Sequence, residues 1–127
     1  MKMPDAGTKP IILAVDDAPE NLDVVKAALG DEYVVRVAIN GKIALKIAEK
    51  QLPDLILLDI MMPVMSGFEV FRRLKANKRT AGIPVVFLTG EKHHSSESMA
   101  FDMGAEDYVM KPINPTKLRA CIKDALS

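Results

Sequence analysis

Five short runs of apolar residues recur along the chain, at residues 11–15, 33–38, 55–58, 84–88 and 108–110. Between them lie longer stretches in which apolar side chains return every three or four residues, at 19–29, 42–51, 66–76, 95–103 and from 115 onward. Short continuous apolar runs are typical of strands buried on both faces, and the wider spacing is typical of amphipathic helices. The pattern therefore predicts five strand–helix units in succession.

Residues that start and stop helices frame the helical stretches. Pro19 suits the first turn of the first helix, and Gly30 ends that helix. Ser66 and Glu69 have the spacing of a capping box, in which each side chain binds the other residue's backbone N–H. We further expect N-caps at Asn40 and Asn114, and one shared face of the second helix for Ile43 and Ile47.

Strict alternation of strands and helices favours a parallel sheet with helices on both faces, since right-handed helical crossovers join successive parallel strands. With five strands we predict an α/β, doubly wound fold of the flavodoxin-like order 2-1-3-4-5, with five helices. Residues 1–9, which include Pro4 and Gly7, are expected to form a flexible tail. Residues 10–127 are expected to form one domain.

Composition limits the class of protein. A chain of 127 residues that is 49% hydrophobic suits one domain with its own core. Its 17 basic and 17 acidic side chains cancel, which argues against nucleic acid or an anionic membrane as a direct partner. No apolar run approaches the length of a membrane span or a secretory leader, and the single cysteine, Cys121, cannot form an internal disulfide. We therefore expect a cytoplasmic protein that does not cross a membrane.

Polar side chains that could take part in binding or catalysis lie at the ends of the predicted strands. Asp16 and Asp17 follow the first strand, Asp59 follows the third, Thr89 follows the fourth and Lys111 follows the fifth. Because open parallel sheets bind their ligands at the carboxyl edge, these five side chains are expected to converge on one small site.

Three carboxylates at close range resist joint ionisation unless a cation compensates them. Mg²⁺ is the natural compensation, because it prefers oxygen ligands and often takes one or two carboxylates plus a phosphate. Carboxylates can also act as nucleophiles and form aspartyl-phosphates, and the charge of Lys111 suits phosphoryl oxygens. This set of groups favours phosphoryl transfer as the chemistry of the site.

The same residues lie in longer fragments through which the chain resembles the receiver domain of two-component response regulators. The fragments are VDD at 15–17, LLDIMMP at 57–63, SGFE at 66–69, FLTG at 87–90, GA at 104–105 and YVMKP at 108–112. They follow the family's order and spacing from about Lys9 to the C-terminus. Each fragment alone is a weak signal, and together they are highly specific.

The resemblance implies a role in a phosphorelay. Asp59 would accept a phosphoryl group from a phosphohistidine on a sensor histidine kinase or a histidine phosphotransfer protein. Asp16, Asp17 and Asp59 would hold Mg²⁺, with the backbone carbonyl of Met61 as a further ligand. On this interpretation the chain is not an enzyme beyond its own phosphorylation and dephosphorylation.

The resemblance also implies a switch. Thr89 and Lys111 would contact the phosphoryl group, Tyr108 would turn inward as Thr89 moves, and the peptide bond from Lys111 to Pro112 would be cis. Phosphorylation would reshape the face made by the fourth predicted helix, the fifth strand and the last helix. That face would control an unknown downstream protein or a fused output domain, and a homodimer through it is a further alternative.

The residues leave other interpretations open. Asp16 and Asp17 could simply cap the helix that begins at Pro19, and Asp59 could be a turn residue at a strand end. An aspartyl phosphatase of the haloacid dehalogenase type would need a second aspartate where the chain has Met61. A flavin-binding flavodoxin would need a phosphate loop rich in glycine and hydroxyl groups where the chain has its first two carboxylates. A stand-alone regulator and a receiver cut from a longer protein both remain open.

Overall fold

A computed structural model of the chain describes residues 8–90 and 104–127. Its strands are β1 Ile11–Val15, β2 Val34–Ala38, β3 Leu55–Asp59, β4 Val85–Thr89 and β5 Asp107–Met110. Its helices are α1 Pro19–Leu29, α2 Gly41–Gln51, α3 Gly67–Ala76 and α4 Pro115–Leu126. The described residues thus contain four helices rather than the five predicted, because the helix expected at 95–103 lies outside them, as do residues 1–7 of the expected tail.

The five strands form one parallel sheet in the order β2-β1-β3-β4-β5, which confirms the predicted doubly wound arrangement. The register aligns the carboxyl ends of the central strands, with Val15 opposite Leu58 and Asp59 opposite Leu88. Residues that follow these strands therefore meet at one edge of the sheet, as the sequence predicts.

The core lies on both faces of the sheet. Every residue of β3 and β4 is buried, which explains why their sequences are continuous apolar runs. Helices α2 and α3 cover one face, where Phe87 packs against Phe68 and Phe71 at ring distances of 5.3 and 5.4 Å. Helices α1 and α4 cover the other face. The resulting scaffold holds the loops at the sheet edge in place.

Side chains cap three of the helices as predicted. Asn40, Ser66 and Asn114 each accept a hydrogen bond from the backbone N–H three residues further on. The face of α2 agrees with the prediction only in part, since Ile47 packs against the core but Ile43 is exposed, and the fully buried residues are Gly41, Ala44 and Ala48. Small residues let α2 lie close to the sheet, which leaves the Ile43 side chain outside.

The capping box at the start of α3 is only half formed. The Ser66 hydroxyl accepts from the Glu69 N–H, but the Glu69 carboxylate pairs instead with Arg72 and Arg73 at 2.6 and 2.7 Å. Hydrogen bonds from these two guanidinium groups lower the pKa of Glu69 to about 2.

In the part of the chain that the structure describes, no helix combines the length and the apolar character needed to cross a membrane.

Candidate functional site

The predicted residues at the strand ends do converge. The Lys111 ammonium lies between two carboxylates, with Nζ 2.9 Å from Asp16 Oδ2 and 3.0 Å from Asp59 Oδ1. Asp17 lies beside them on the exposed side, and one oxygen from each of the three carboxylates lies within 4.8 Å of the others. Acidic groups at the ends of two different strands and the cation after a third therefore form one cluster.

Asp16 is the anchored member of the cluster. It is fully buried, and its carboxylate accepts hydrogen bonds from the Ala18 N–H at 2.9 Å and from Asn21 Nδ2 at 3.1 Å. Asp16 thus orders the turn before α1 while it faces the site, whereas Asp17 makes no cap. Sequence reasoning missed Asn21, although an amide in the first turn after the acidic pair is the kind of signal that could have revealed it.

Asp59 is held at the end of β3 by its own loop. Its side chain is 4% exposed, and Oδ1 accepts from the Met61 N–H at 3.3 Å. The loop returns to the strand through a hydrogen bond from the Gly67 N–H to the Ile60 carbonyl at 2.8 Å. A Cβ at position 67 would collide with the Asp59 carbonyl oxygen, so only glycine allows this close approach.

The charges of the cluster shift one another's protonation. Burial is the largest influence on Asp59 and raises its pKa to about 6, with Asp16 also raising it and Lys111 and the Met61 N–H opposing. Burial alone would lower the pKa of Lys111, but the two carboxylates outweigh it and raise that pKa. At neutral pH the Asp59 carboxyl is therefore mostly ionised, with a neighbouring cation beside it.

We expect the stability of the metal-free protein to depend on pH through Asp59. In the folded chain its pKa is about 6, against 3.8 for an unperturbed group, so the unfolded state binds fewer protons between these values. The free energy of unfolding therefore falls as the pH rises through this window. Asp59→Asn removes the carboxyl, and its stability advantage over wild type should grow from about 0.5 kcal/mol at about pH 4 to about 3 kcal/mol at about pH 7.

Denaturant unfolding in the presence of a chelator measures this difference across the pH range. Asp31→Asn is the matched control, because Asp31 is an exposed carboxylate in the turn after α1. Its stability difference from wild type should stay small at every pH. A difference between wild type and Asp59→Asn that does not change with pH would contradict the prediction.

Thr89 and Tyr108 lie on the side of the site formed by β4 and β5. Thr89 is buried at the end of β4, and its hydroxyl donates to the Gly90 carbonyl at 3.3 Å. Its own carbonyl accepts from the Lys111 N–H at 2.7 Å, which ties the two strand ends together. Tyr108 is half-buried against the core cluster that contains Phe87, its partner in the sheet register. The peptide bond between Lys111 and Pro112 is cis.

The cluster fits a hard divalent cation. Its donors are carboxylate oxygens, which Mg²⁺ prefers, and one of them belongs to an exposed residue through which an ion could enter. Within residues 8–90 and 104–127, this is the one group of three or more acidic, histidine or cysteine side chains close enough to share a metal ion. The side chain of Met61, two residues after Asp59, is exposed and turned away from the core.

The chain is similar in sequence to known proteins. A family model described as the response regulator receiver domain matches residues 12–123. A Vibrio cholerae serotype O1 protein named "Probable cyclic di-GMP phosphodiesterase" is 44% identical over 109 residues, which are 86% of this chain and 25% of that protein. The chain spans about a quarter of the length of the first curated relatives that it matches.

Two solved structures resemble this chain closely in fold and less closely in sequence. The chemotaxis protein CheY4 of Vibrio cholerae has a TM-score of 0.87 and 32% identity, over 94% of this chain and all of that chain (100%). The receiver domain of a Pseudomonas aeruginosa sensor histidine kinase has a TM-score of 0.85 and 28% identity, over 94% of this chain and 98% of that chain. That second structure holds a magnesium ion in its active site cleft.

Proposed function

This chain belongs to the family of response regulator receiver domains of two-component systems, and we propose that Asp59 is its phosphoacceptor. The observation that carries the proposal is the Asp59 carboxylate at the carboxyl end of β3, 3.0 Å from the Lys111 ammonium and beside Asp16. In the reaction, one Asp59 oxygen forms a bond to phosphorus while the bond from phosphorus to a donor histidine nitrogen breaks. The electron pair of the broken bond stays on the imidazole, which then takes up a proton.

Asp16, Asp17 and Asp59 would hold Mg²⁺, with the Met61 backbone carbonyl as a further ligand. The ion would supply positive charge that stabilises the phosphoryl oxygens during transfer. Support comes from the clustering of three carboxylate oxygens within 4.8 Å and from the magnesium ion in the related receiver domain. The Asn21 amide would keep the Asp16 carboxylate oriented, since it donates to one of its oxygens.

Lys111 and Thr89 would bind the phosphoryl group once it is on Asp59. Lys111 already contacts the Asp59 oxygen through its ammonium, so a small displacement would bring it to a phosphoryl oxygen. The Thr89 hydroxyl donates to the carbonyl of the next residue at 3.3 Å, a long bond that it could exchange for a phosphoryl oxygen. Both residues act as binding groups, and neither needs to gain or lose a proton.

Movement of Thr89 would favour a second conformation in which Tyr108 turns further inward. Tyr108 lies on β5 next to α4, so this change would alter the surface made by β5 and α4. The shift in population is limited by the difference in free energy that the phosphoryl group provides between the two conformations. A histidine kinase or a histidine phosphotransfer protein would donate the phosphoryl group. The altered surface would then act on a downstream protein, a fused output domain or a second copy of the chain.

The experiment is the intact mass of the wild-type protein after incubation with acetyl phosphate. With Mg²⁺ we expect a single phosphoryl adduct, and with excess chelator added beforehand we expect none. The hydroxylamine sensitivity of the adduct separates an acyl phosphate from a phosphoester on a serine or threonine. An adduct that forms equally well without a divalent ion would overturn the proposed role of the three carboxylates.

A further inference from the structure

A second surface lies next to the acidic cluster, and phosphoryl transfer does not require it. The loops that follow β2 and β3, together with the first residues of α2, enclose a groove of about 460 Å³. Its lining is mostly apolar and comprises Ile39, Asn40, Gly41, Lys42, Pro63, Val64 and Met65. Ile39 is 52% exposed and Val64 is fully exposed, so water covers two aliphatic side chains at its rim. An exposed apolar groove of this kind is typical of a contact site for another molecule.

Val64 is held in a strained conformation at this rim. Its φ angle is 71°, in the left-handed region, and the Met65 N–H donates to the Pro63 carbonyl at 2.8 Å across it. This is a γ-turn centred on a β-branched residue, which is a rare and unfavourable arrangement. The turn therefore presents the fully exposed Val64 side chain at the rim of the groove, at a cost in backbone strain.

The floor of the groove is closely packed and already formed. A Cβ at Gly41 would lie 2.7 Å from Met65 Sδ and 2.7 Å from Val70 Cγ2. The absence of a side chain at Gly41 therefore lets the first turn of α2 pack directly on Met65. A preformed groove of this kind needs little rearrangement to accept a side chain from a partner.

The groove continues into a row of positive charges along α2. Lys42 lines the groove, and Lys46 and Lys50 follow at intervals of four residues on the same exposed face. Lys46 and Lys50 line a second cavity of about 620 Å³ with Glu49 and Arg79, and Arg79 donates to the Glu49 backbone carbonyl. The row from Lys42 to Lys50 is about 12 Å long, from the rise of an α-helix.

The cavity that Lys46, Lys50 and Arg79 line is also lined by one acidic residue, Glu49. Among the described residues, no carboxylate forms an ion pair with the three lysines or Arg79. The chain as a whole has a net charge of +0, so this concentration of positive charge is local. We call the groove and the row together the α2 surface, which consists of Ile39, Lys42, Lys46, Lys50, Val64 and Arg79.

We propose that the α2 surface binds an acidic amphipathic helix of a partner protein. Apolar side chains at one end of that helix would fill the groove, and acidic side chains at intervals of four residues would face the lysine row. The mixture favours a protein over a nucleic acid, because a phosphate backbone offers nothing to fill an aliphatic groove. The groove shares the β3–α3 loop with Asp59, so a bound helix would touch the loop that positions this residue. The proposal stands independently of phosphorylation.

The test is a titration with a defined probe. The probe is a synthetic helical peptide of about four turns, with two leucines in its first turn and glutamates at intervals of four residues along one face. Fluorescence anisotropy should show saturable binding with Kd below about 1 mM. Amide shifts in NMR spectra should fall on Ile39, Gly41, Val64, Met65, Lys46 and Lys50. Binding should weaken with salt and with a peptide whose glutamates are replaced by lysine.

Variants of the protein separate the two halves of the surface. Val64→Gly removes the aliphatic side chain and relieves the strain, so it should stay folded yet weaken binding about tenfold. Lys46→Glu and Lys50→Glu should each weaken binding about threefold. The matched controls are Leu52→Gly and Lys123→Glu. Leu52 is also exposed with a positive φ, of 46°, but lies outside both cavities, and Lys123 is an exposed lysine of α4.

The controls should bind the peptide as tightly as wild type does. Amide shifts confined to β5 and α4, equal binding by wild type and Val64→Gly, or no saturation up to about 1 mM would each overturn the proposal. Self-association of the protein that Val64→Gly abolishes, without peptide binding, would assign the surface to a second copy instead.

Discussion

Asp59→Asn should give no phosphoryl adduct under conditions in which the wild-type protein is fully modified. An amide oxygen is a far weaker nucleophile than a carboxylate and forms no acyl phosphate that survives, so the loss should be complete rather than partial. Asparagine is nearly isosteric with aspartate, and residue 59 is almost fully buried, so the packing at the end of β3 should stay unchanged. Intact mass measured after incubation with acetyl phosphate and Mg²⁺ gives the result directly.

Asp31→Asn again serves as the control and should be modified to the same extent as wild type, because Asp31 is exposed and lies in the turn after α1. Circular dichroism and thermal unfolding of Asp59→Asn check that the variant keeps its fold. An adduct of unchanged yield on Asp59→Asn would show that a different residue accepts the phosphoryl group. Loss of the folded state in this variant would assign Asp59 a structural role instead.

The sequence alone was enough to predict the sheet and the position of the cluster. Buried parallel strands are continuous apolar runs, and the polar residue that ends each run marks the carboxyl edge of the sheet. Asp59 and Lys111 are far apart in the chain but follow strands whose ends align in the structure, so their 3.0 Å contact follows from the topology. The strand bounds were predicted to within one residue, and at β1, β3 and β5 a charged residue, Asp16, Asp59 or Lys111, marks the end of the apolar run.

The sequence did not predict contacts in which a side chain has several possible partners or meets a distant part of the backbone. Glu69 has the spacing of a capping box, yet two arginines on the next turn compete for its carboxylate and win. Gly67 is visible in the sequence, but the collision that excludes any other residue involves the Asp59 carbonyl and emerges only when loop and strand are placed together. Ile47 packs against the core while Ile43 is exposed, and the fully buried positions of α2 are small residues, which the periodicity of large side chains does not predict.

The α2 surface is a further feature that the sequence alone did not predict. The lysine spacing is visible in the sequence, but a row of lysines on a helix is usually just a solvated face. Only the structure places that row beside an apolar groove, with a strained valine at its rim. The loop after β3 therefore borders two different surfaces, the acidic cluster on one side and the α2 surface on the other.

Lys111→Met should destabilise the metal-free protein by about 3 kcal/mol at neutral pH, because it leaves two buried carboxylates without their counter-ion. Methionine keeps most of the aliphatic stem of lysine, so the lost energy reflects charge rather than packing. The loss should shrink at about pH 5, where Asp59, with a pKa near 6, takes up a proton in the folded state. Denaturant unfolding of the variant and wild type with chelator measures both effects.

Saturating Mg²⁺ should restore much of the lost stability of Lys111→Met, because a cation bound by the folded state alone stabilises it and here replaces the missing ammonium. Lys117→Met is the matched control, since Lys117 is an exposed lysine in the first turn of α4, and its stability should stay within about 0.5 kcal/mol of wild type with or without the ion. Equal losses in the two variants would mean that the contacts of Lys111 with Asp16 and Asp59 contribute no more than a surface charge does. If Mg²⁺ does not restore the stability that Lys111→Met loses, the ion does not replace the ammonium of Lys111. The lysine and the metal ion would then stabilise the carboxylates independently.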